Sequence, residues 1–271
     1  MQKKVQYKII TIITIIFLIN YFFISCSKNK DKKSNTTQKN QEQIKTNDTA
    51  KDTIAKVEEE IDPNILFQKA EQYYSTNETV LIPENNFLKA IKTYKKVIEV
   101  APNSKLAPDA QYMIAKLTEE YIKYVNRKKR IEIENLAITN EEKSFDNILK
   151  YMLPFDEAIK EYLKMAELYP NNFHAPESLL RAAELYTEDY NNNKDFNKAI
   201  KLYELLIAKY PNSGYEDFAQ YRIGDCYRYL KNYEKAIEEY QKVLDKYPDS
   251  QYILEAENKI ERLKIQLKIS K

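Results

Sequence analysis

The stretch YEKAIEEYQKVLDKYPDS, residues 233–250, decides how this chain is read, because three other stretches align with it without gaps. They are FLKAIKTYKKVIEVAPNS at 87–104, FDEAIKEYLKMAELYPNN at 155–172 and FNKAIKLYELLIAKYPNS at 196–213. Each begins with an aromatic residue and places Ala three residues on: Ala90, Ala158, Ala199 and Ala236. A tyrosine follows four residues later (Tyr94, Tyr162, Tyr203, Tyr240), then an apolar residue, then Pro102, Pro170, Pro211 and Pro248. Spacings of three and four put these residues on one face of a helix. The alanine lets a neighbouring helix approach closely, the tyrosine fills the space beside it, and the proline stops the helix.

A second helical pattern surrounds each copy. Thirteen residues after Pro102, Pro170 and Pro211 stand Ala115, Ala183 and Gly224. Ile114 precedes Ala115, Tyr186 follows Ala183, and Ile223 and Tyr227 flank Gly224. A small residue there is what a tight helix pair requires. Ser213 with Glu216 has the spacing of a capping box, and Pro108 and Pro176 suit the first turn of a helix.

A helix pair with apolar–Gly–Tyr on one helix and Ala–aromatic–Pro on the other resembles the tetratricopeptide repeat (TPR). The resemblance covers about three-quarters of the chain. It implies an all-α, TPR-type helical-hairpin solenoid of about four helix pairs over residues 63–268. The aromatic starts lie 68, 41 and 37 residues apart, against a usual period of about 34. The 68-residue interval holds an insertion at about 127–150, expected to extend one helix and add a short second one. Its Arg127–Arg130 cluster reads as a solvated helix end, with a lipid or acidic-partner contact as the alternative. After Pro248, the stripe Tyr252, Ile253, Ala256, Ile260, Leu263 and Leu267 suits a capping helix, which a repeat array needs for solubility.

The stretches YPNNFHAPESLLRAAELY and YPNSGYEDFAQYRIGDCYRYLKNYEKAIEEYQKVLDKYPDS look like the TPRs of two bacterial envelope families, the BamD outer-membrane assembly lipoproteins and the CpoB/YbgF TPR domain. Both resemblances imply protein–protein docking in the periplasm. The N-terminus fits such a location. Lys3, Lys4 and Lys8 precede an apolar run at 9–24, too short for a spanning helix, and the sequence turns polar after Ser25-Cys26-Ser27. Phe23-Ile24-Ser25-Cys26 resembles a lipoprotein lipobox. That implies a signal peptide at 1–25 and acylation (palmitate among the chains) on Cys26; the alternative is an uncleaved anchor. Ser27 is not the aspartate that retains enteric lipoproteins in the inner membrane, so the resemblance favours the outer membrane. Residues 26–62 are rich in Lys, Asn, Thr and Gln with almost no large apolar residue before Ile54, and read as a disordered tether. Such a tether of about 37 residues spans roughly 35 Å by square-root scaling.

Composition narrows the function classes. With 2 Gly among 271 residues, helices are the simplest construction and a Gly-rich phosphate loop is absent. The formal charge is +2; without the three lysines of the leader, 43 Lys and Arg fall to 40 against 41 Asp and Glu, a net of −1. That balance excludes a basic nucleic-acid footprint. His174 is the only histidine, which excludes multi-histidine metal sites and makes a histidine-based triad improbable; it is expected to be exposed in a linker. Glu58-Glu59-Glu60 reads as a charge run at a helix start. Cys226 is expected to be a small packing residue. No catalytic constellation, metal, cofactor or small-molecule substrate is expected, and the chain is not read as an enzyme.

In TPR arrays the first helix of each pair lines the concave groove. By that resemblance the groove candidates are Phe67, Glu71, Tyr74, Tyr112, Lys116, Glu119, Leu180, Glu184, Phe218, Tyr221, Asp225, Arg228 and Tyr229. Aromatics with scattered charge suit an extended peptide or a partner helix. Glu71, Glu184 and Asp225 stand where the chaperone-binding carboxylate clamp needs Asn, so that activity is not expected. The expected function is a lipid-anchored envelope scaffold, with BamD-like outer-membrane protein assembly as its most specific form. The alternatives are an accessory lipoprotein of a pilus or secretion system, a Tol–Pal or cell-division factor, and, remotely, a hydrolase or small-molecule binder.

Overall fold

In a computed structural model, residues 62–75, 83–136 and 148–269 are described, all within the compact unit Val57–Lys271. The expected signal peptide at 1–25, Cys26, Glu58-Glu59-Glu60 and the tether up to residue 61 lie outside them, as does 137–147 of the insertion. Among the described residues no helix is long and apolar enough to cross a membrane.

The described residues form nine helices and no strand. They are α1 (Pro63–Tyr74), α2 (Glu84–Val100), α3 (Leu106–Leu136), α4 (Asp156–Leu168), α5 (His174–Thr187), α6 (Phe196–Lys209), α7 (Glu216–Tyr229), α8 (Tyr233–Lys246) and α9 (Ile253–Ile269). Each packs on the next, so the array is four hairpins, α1–α2, α3–α4, α5–α6 and α7–α8, closed by α9. This is the TPR-type helical repeat solenoid that the sequence pattern predicts.

The prolines act as expected. Tyr169 and Tyr210, each before a proline, leave the helical region at φ −128°, ψ 56°, and Tyr247 at φ −128°, ψ 62°. A residue before proline is pushed out of the α region by the ring, so the helices end there. The same turn then recurs: Asn172, Ser213 and Ser250 N–H donate to the carbonyls of Tyr169, Tyr210 and Tyr247. Helix starts are capped by Asp195, whose side chain accepts from Lys198 N–H at 2.9 Å, and by Asn232, which accepts from Lys235 N–H at 3.2 Å.

The capping box at Ser213 and Glu216 forms only in half. The Glu216 carboxylate accepts from the backbone N–H of Asn212 and of Ser213, but Ser213 Oγ donates to that same carboxylate at 3.2 Å. The helix begins one residue after Tyr215, too late for the Ser213 hydroxyl to cap it.

The core is repetitive too. Among the described residues Tyr94, Tyr162, Tyr203 and Tyr240 are the four largest fully buried side chains, and Ala90, Ala158, Ala199 and Ala236 have no exposed surface. Burying a large aromatic in this way stabilises by about 2–3 kcal/mol each.

Helix α9 occupies the place of a fifth first helix, in register. Tyr221 stacks on Tyr252, the residue before α9, at 5.1 Å, as Tyr112 of α3 stacks on His174 of α5 at 3.8 Å. Tyr221 Oη donates to Glu255 at 2.5 Å, as Tyr112 Oη donates to Glu177 at 2.7 Å. Ala256, Ile260 and Leu263 are buried, and the position thirteen after Pro248 is Glu261, exposed, where the other first helices carry Ala or Gly. A carboxylate there bars close approach by a following helix, so α9 ends the stack.

Two expectations are corrected. His174 is not a free linker residue: it opens α5, and its ring lies flat on Tyr112 because the next first helix overlies that aromatic. The Arg127–Arg130 run is solvated at Arg127 and Lys128, but it is not a helix end. Helix α3 runs 31 residues, and there Lys128 pairs with Glu84 at 3.5 Å, Lys129 Nζ donates to the Tyr151 carbonyl at 3.1 Å, and Arg130 donates to Tyr190 Oη at 2.8 Å. The extension is thereby fastened to its neighbours; of the rest of the insertion, where a short second helix is expected, residues 137–147 lie outside the described residues and Ile148 and Leu149 are helical.

Candidate functional site

The first helices α3, α5, α7 and α9 share one face, and its side chains form a ladder of charges. Arg181 of α5 pairs with Glu119 of α3 and with Glu184 of its own helix at 2.6 Å. Arg222 of α7 donates to Thr187 Oγ1 of α5 at 3.0 Å and lies 3.6 Å from Asp225. Lys259 of α9 reaches back to Asp225 of α7 at 2.6 Å. One pattern generates this ladder: a cation two residues before the small position, at Arg181 before Ala183 and Arg222 before Gly224, with Lys259 in register on α9. That spacing aims each cation at the preceding first helix.

The buried tyrosines hold the acids from behind. Tyr162 Oη donates to Glu119 at 2.7 Å and Tyr240 Oη donates to Asp225 at 2.8 Å. Glu119 is 1% exposed. Burial alone would raise its pKa, but Arg181, Lys123 at 2.6 Å and the Tyr162 hydroxyl together hold it below the usual carboxylate range. Arg181 is pushed above its ordinary value, since Glu119 and Glu184 outweigh the burial that opposes its charge. Tyr162 is raised by burial and then by the neighbouring Glu119. These groups stay charged or neutral across the physiological range, so the ladder is a fixed polar surface rather than an acid–base device.

Between α3, α5 and α7 this surface forms a depression of about 260 Å³ lined by Lys123, Arg181, Glu184, Arg222, Asp225 and Tyr229, among others. A second cavity of about 230 Å³ adjoins it, sharing Lys123 and Glu188.

The groove candidates fall into two groups. Tyr112, Glu119, Leu180, Tyr221 and Asp225 are buried, tied to neighbouring helices by the contacts given above or by packing. Phe67 sits edge-on to Tyr94 at 5.1 Å, and Phe218 packs on Tyr252 at 5.2 Å, both partly buried. Glu71 and Tyr229 are exposed, while Tyr74, Lys116, Glu184 and Arg228 are partly so. Tyr229 lies flat against Phe196 at 5.1 Å, with the Arg228 guanidinium 4.3 Å from its ring centre. Lys123, Arg181, Arg222 and Lys259 are on the face but absent from the candidates. The recurring cation before the small residue is the signal that identifies three of them; Lys123 has no counterpart in the other repeats.

Cys226 is 1% exposed and its thiol is pushed up to about 12, chiefly by burial. Among the described residues no group of three or more His, Cys, Asp or Glu is placed to hold a metal ion.

Two segments of the chain, 177–213 and 218–250, match the family model of the tetratricopeptide repeat. No curated protein sequence matches the chain. Among solved structures, a tetratricopeptide repeat protein from Parabacteroides merdae ATCC 43184 aligns at 16% identity over 75% of this chain, with a TM-score of 0.48. The chain spans 60% of the length of that protein. The MamA RS-1 ArsTM double mutant aligns at 17% identity over 76% of this chain and 97% of its own, TM-score 0.40. The de novo designed helical repeat protein DHR64 aligns at 17% identity over 80% of this chain and 93% of its own, TM-score 0.25. The repeats, together with the observed helix pairs, give an architecture that typically serves as a protein–protein interaction scaffold.

Proposed function

We propose that the chain is a membrane-anchored periplasmic scaffold of the bacterial cell envelope, in which the face of α3, α5, α7 and α9 holds an extended segment or helix of another envelope protein. The observation that carries this reading is the charge ladder along that face. Its ion pairs run from helix to helix through Glu119–Arg181 and Asp225–Lys259, which fixes side chains of both signs and an exposed aromatic, Tyr229, on a rigid surface. Rigid, preorganised polar groups beside an aromatic anchor suit peptide recognition. Lipid anchoring through Cys26 and an outer-membrane location rest on the N-terminal sequence. A BamD-like role in outer-membrane protein assembly is the most specific form, supported by the linkers between the repeats.

Crosslinking in intact cells followed by co-purification tests the reading. Recovery of β-barrel assembly proteins supports the BamD-like form, and recovery of pilus or secretin subunits replaces it with a secretion accessory. Lys116→Glu and Tyr229→Ala are the informative variants, because both side chains lie on the face and neither is part of the ladder. Asp225 is unsuitable: it is 5% exposed and bonded to Tyr240 and Lys259, so its reversal disrupts the fold. Unchanged recovery with both variants removes the groove reading. Mass spectrometry of the mature N-terminus tests the anchor, and an unmodified Met1 start removes it.

A further inference from the structure

The cavity of about 230 Å³ at the extension of α3 is a built pocket. Asn126, 5% exposed, fixes one wall: its amide donates to the Leu153 carbonyl at 3.0 Å and accepts from Leu153 N–H at 2.7 Å. Arg130 fixes another through Tyr190. Met152 and Phe155, 3% and 1% exposed, supply an apolar floor. Three cations line the cavity, Lys123, Arg127 and Arg130, against one carboxylate, Glu188.

The cations differ in what they already hold. Lys123 is committed to Glu119 at 2.6 Å, and Arg130 to Tyr190 and to Glu134 at 3.6 Å. Arg127 is exposed and makes no ion pair or hydrogen bond among the described residues. On the neighbouring ladder every arginine and lysine is engaged by a carboxylate or hydroxyl of the protein itself. Of the three cations that line this cavity, Arg127 is therefore the one left uncommitted, over an apolar floor.

We propose that this cavity anchors an acidic side chain of the protein segment that lies along the first-helix face. The carboxylate pairs with the Arg127 guanidinium, whose fork geometry suits it. The methylene stem and an apolar neighbour rest on Met152 and Phe155, and Glu188 at the shared rim accepts a backbone N–H of the segment. The volume is below that of a drug-sized site, which fits a single side chain rather than a free metabolite. Continuity through Lys123 and Glu188 puts the pocket at the end of the face, where a segment running along the ladder would reach it. The proposal rests on the scaffold function above and adds the chemistry of the partner: a segment with Glu or Asp beside an apolar residue.

The test uses the full chain purified in detergent and two short fluorescent peptides that differ only at a central residue, Glu in one and Gln in the other, set between Leu and Phe. The Glu peptide is expected to bind about tenfold tighter, the size of one charge-assisted hydrogen-bonded contact. Arg127→Gln is expected to bring the Glu peptide down to the affinity of the Gln peptide while leaving the melting temperature unchanged, since Arg127 is exposed and unbonded. Equal binding of both peptides by the unaltered protein overturns the proposal, and so does a Glu preference that survives Arg127→Gln. If Arg127→Gln instead lowers only binding to phosphatidylglycerol vesicles, the pocket takes a lipid phosphate and the proposal falls. The two readings fail separately. A Glu preference lost in Arg127→Gln, with no envelope protein captured in cells, leaves the pocket and removes the scaffold; a captured partner with no Glu preference does the reverse.

Discussion

Gly224 of α7 and the ring of Tyr240 in α8 meet so closely that a Cβ on Gly224 would lie 2.6 Å from both Cδ1 and Cε1 of Tyr240. The ring cannot step aside. It is fully buried, and its hydroxyl is held by Asp225 at 2.8 Å. Gly224→Ala gains about 1 kcal/mol of helix propensity but overpacks the hairpin at a cost of about 1–3 kcal/mol. The expected outcome is a lowered urea midpoint with an unchanged slope. A variant as stable as the parent would mean that the α7–α8 hairpin opens more readily than this contact allows.

Behind the tyrosines lies a second paired motif. Gln220 donates to the Glu239 carboxylate at 2.8 Å, and Gln111 donates to Glu161 at 2.7 Å, at equivalent positions of the fourth and second hairpins. All four residues are buried. In the third hairpin the same two places hold Leu179 and Leu202. Gln220→Leu strips Glu239 of a buried donor and is expected to cost about 1–3 kcal/mol. Gln220→Leu with Glu239→Leu copies the third hairpin and is expected to recover most of that loss. A double variant less stable than the sum of the singles would refute the equivalence of the two pairings.

These pairs mark the boundary of what can be read from the chain alone. Ala90, Ala158, Ala199 and Ala236 and their tyrosines were legible because the same residue types recur in every copy at helical spacing. The prolines were legible because their effect is local. Gln220–Glu239 and Arg181–Glu119 join residues on different helices, and each occurs in only some repeats, so no single spacing reveals them. Choosing groove residues by repeat position gathered side chains of one face without giving their depth. Glu119 and Asp225 share a face with Tyr229, yet the next first helix covers them and leaves Tyr229 exposed. The ends of α3 followed the same logic: the 68-residue interval disclosed extra chain, but not that Lys129 would donate to the Tyr151 carbonyl.

Cys226 reports on the third and fourth hairpins. Its thiol is buried in the cluster that joins Ala199, Tyr203 and Ile223, and its pKa is pushed up to about 12. Only the thiolate reacts at a useful rate. In a Cys26→Ser protein at pH 8, labelling by a thiol reagent is expected to be slow in buffer and to rise with urea in step with the loss of helical circular dichroism. Labelling that precedes the helical transition would show local opening of α7.

The acid limit of stability should trace to Glu119. Its folded-state pKa is below the unfolded value, so the stabilisation is fully present above about 4.3, the unfolded Glu value, and is lost as pH falls through the lower folded value. Protonation would cancel the attraction of Arg181 and Lys123 and turn Tyr162 Oη from donor to a carboxylate into donor to a neutral acid. Glu119→Gln makes that loss permanent. It leaves Arg181 short of one partner, and because the Arg181 side chain is 31% exposed the cost sits near the lower end for a broken buried pair, about 3 kcal/mol. Stability measured by urea titration from pH 7 to pH 3 is expected to fall below pH 4.3 in the parent, with a shallower fall in Glu119→Gln. Parallel curves would assign the acid sensitivity elsewhere. The same pair governs the shape of the first-helix face, since Arg181 bridges α3 to α5. The variant is therefore expected to weaken peptide binding at neutral pH even at temperatures where it stays folded.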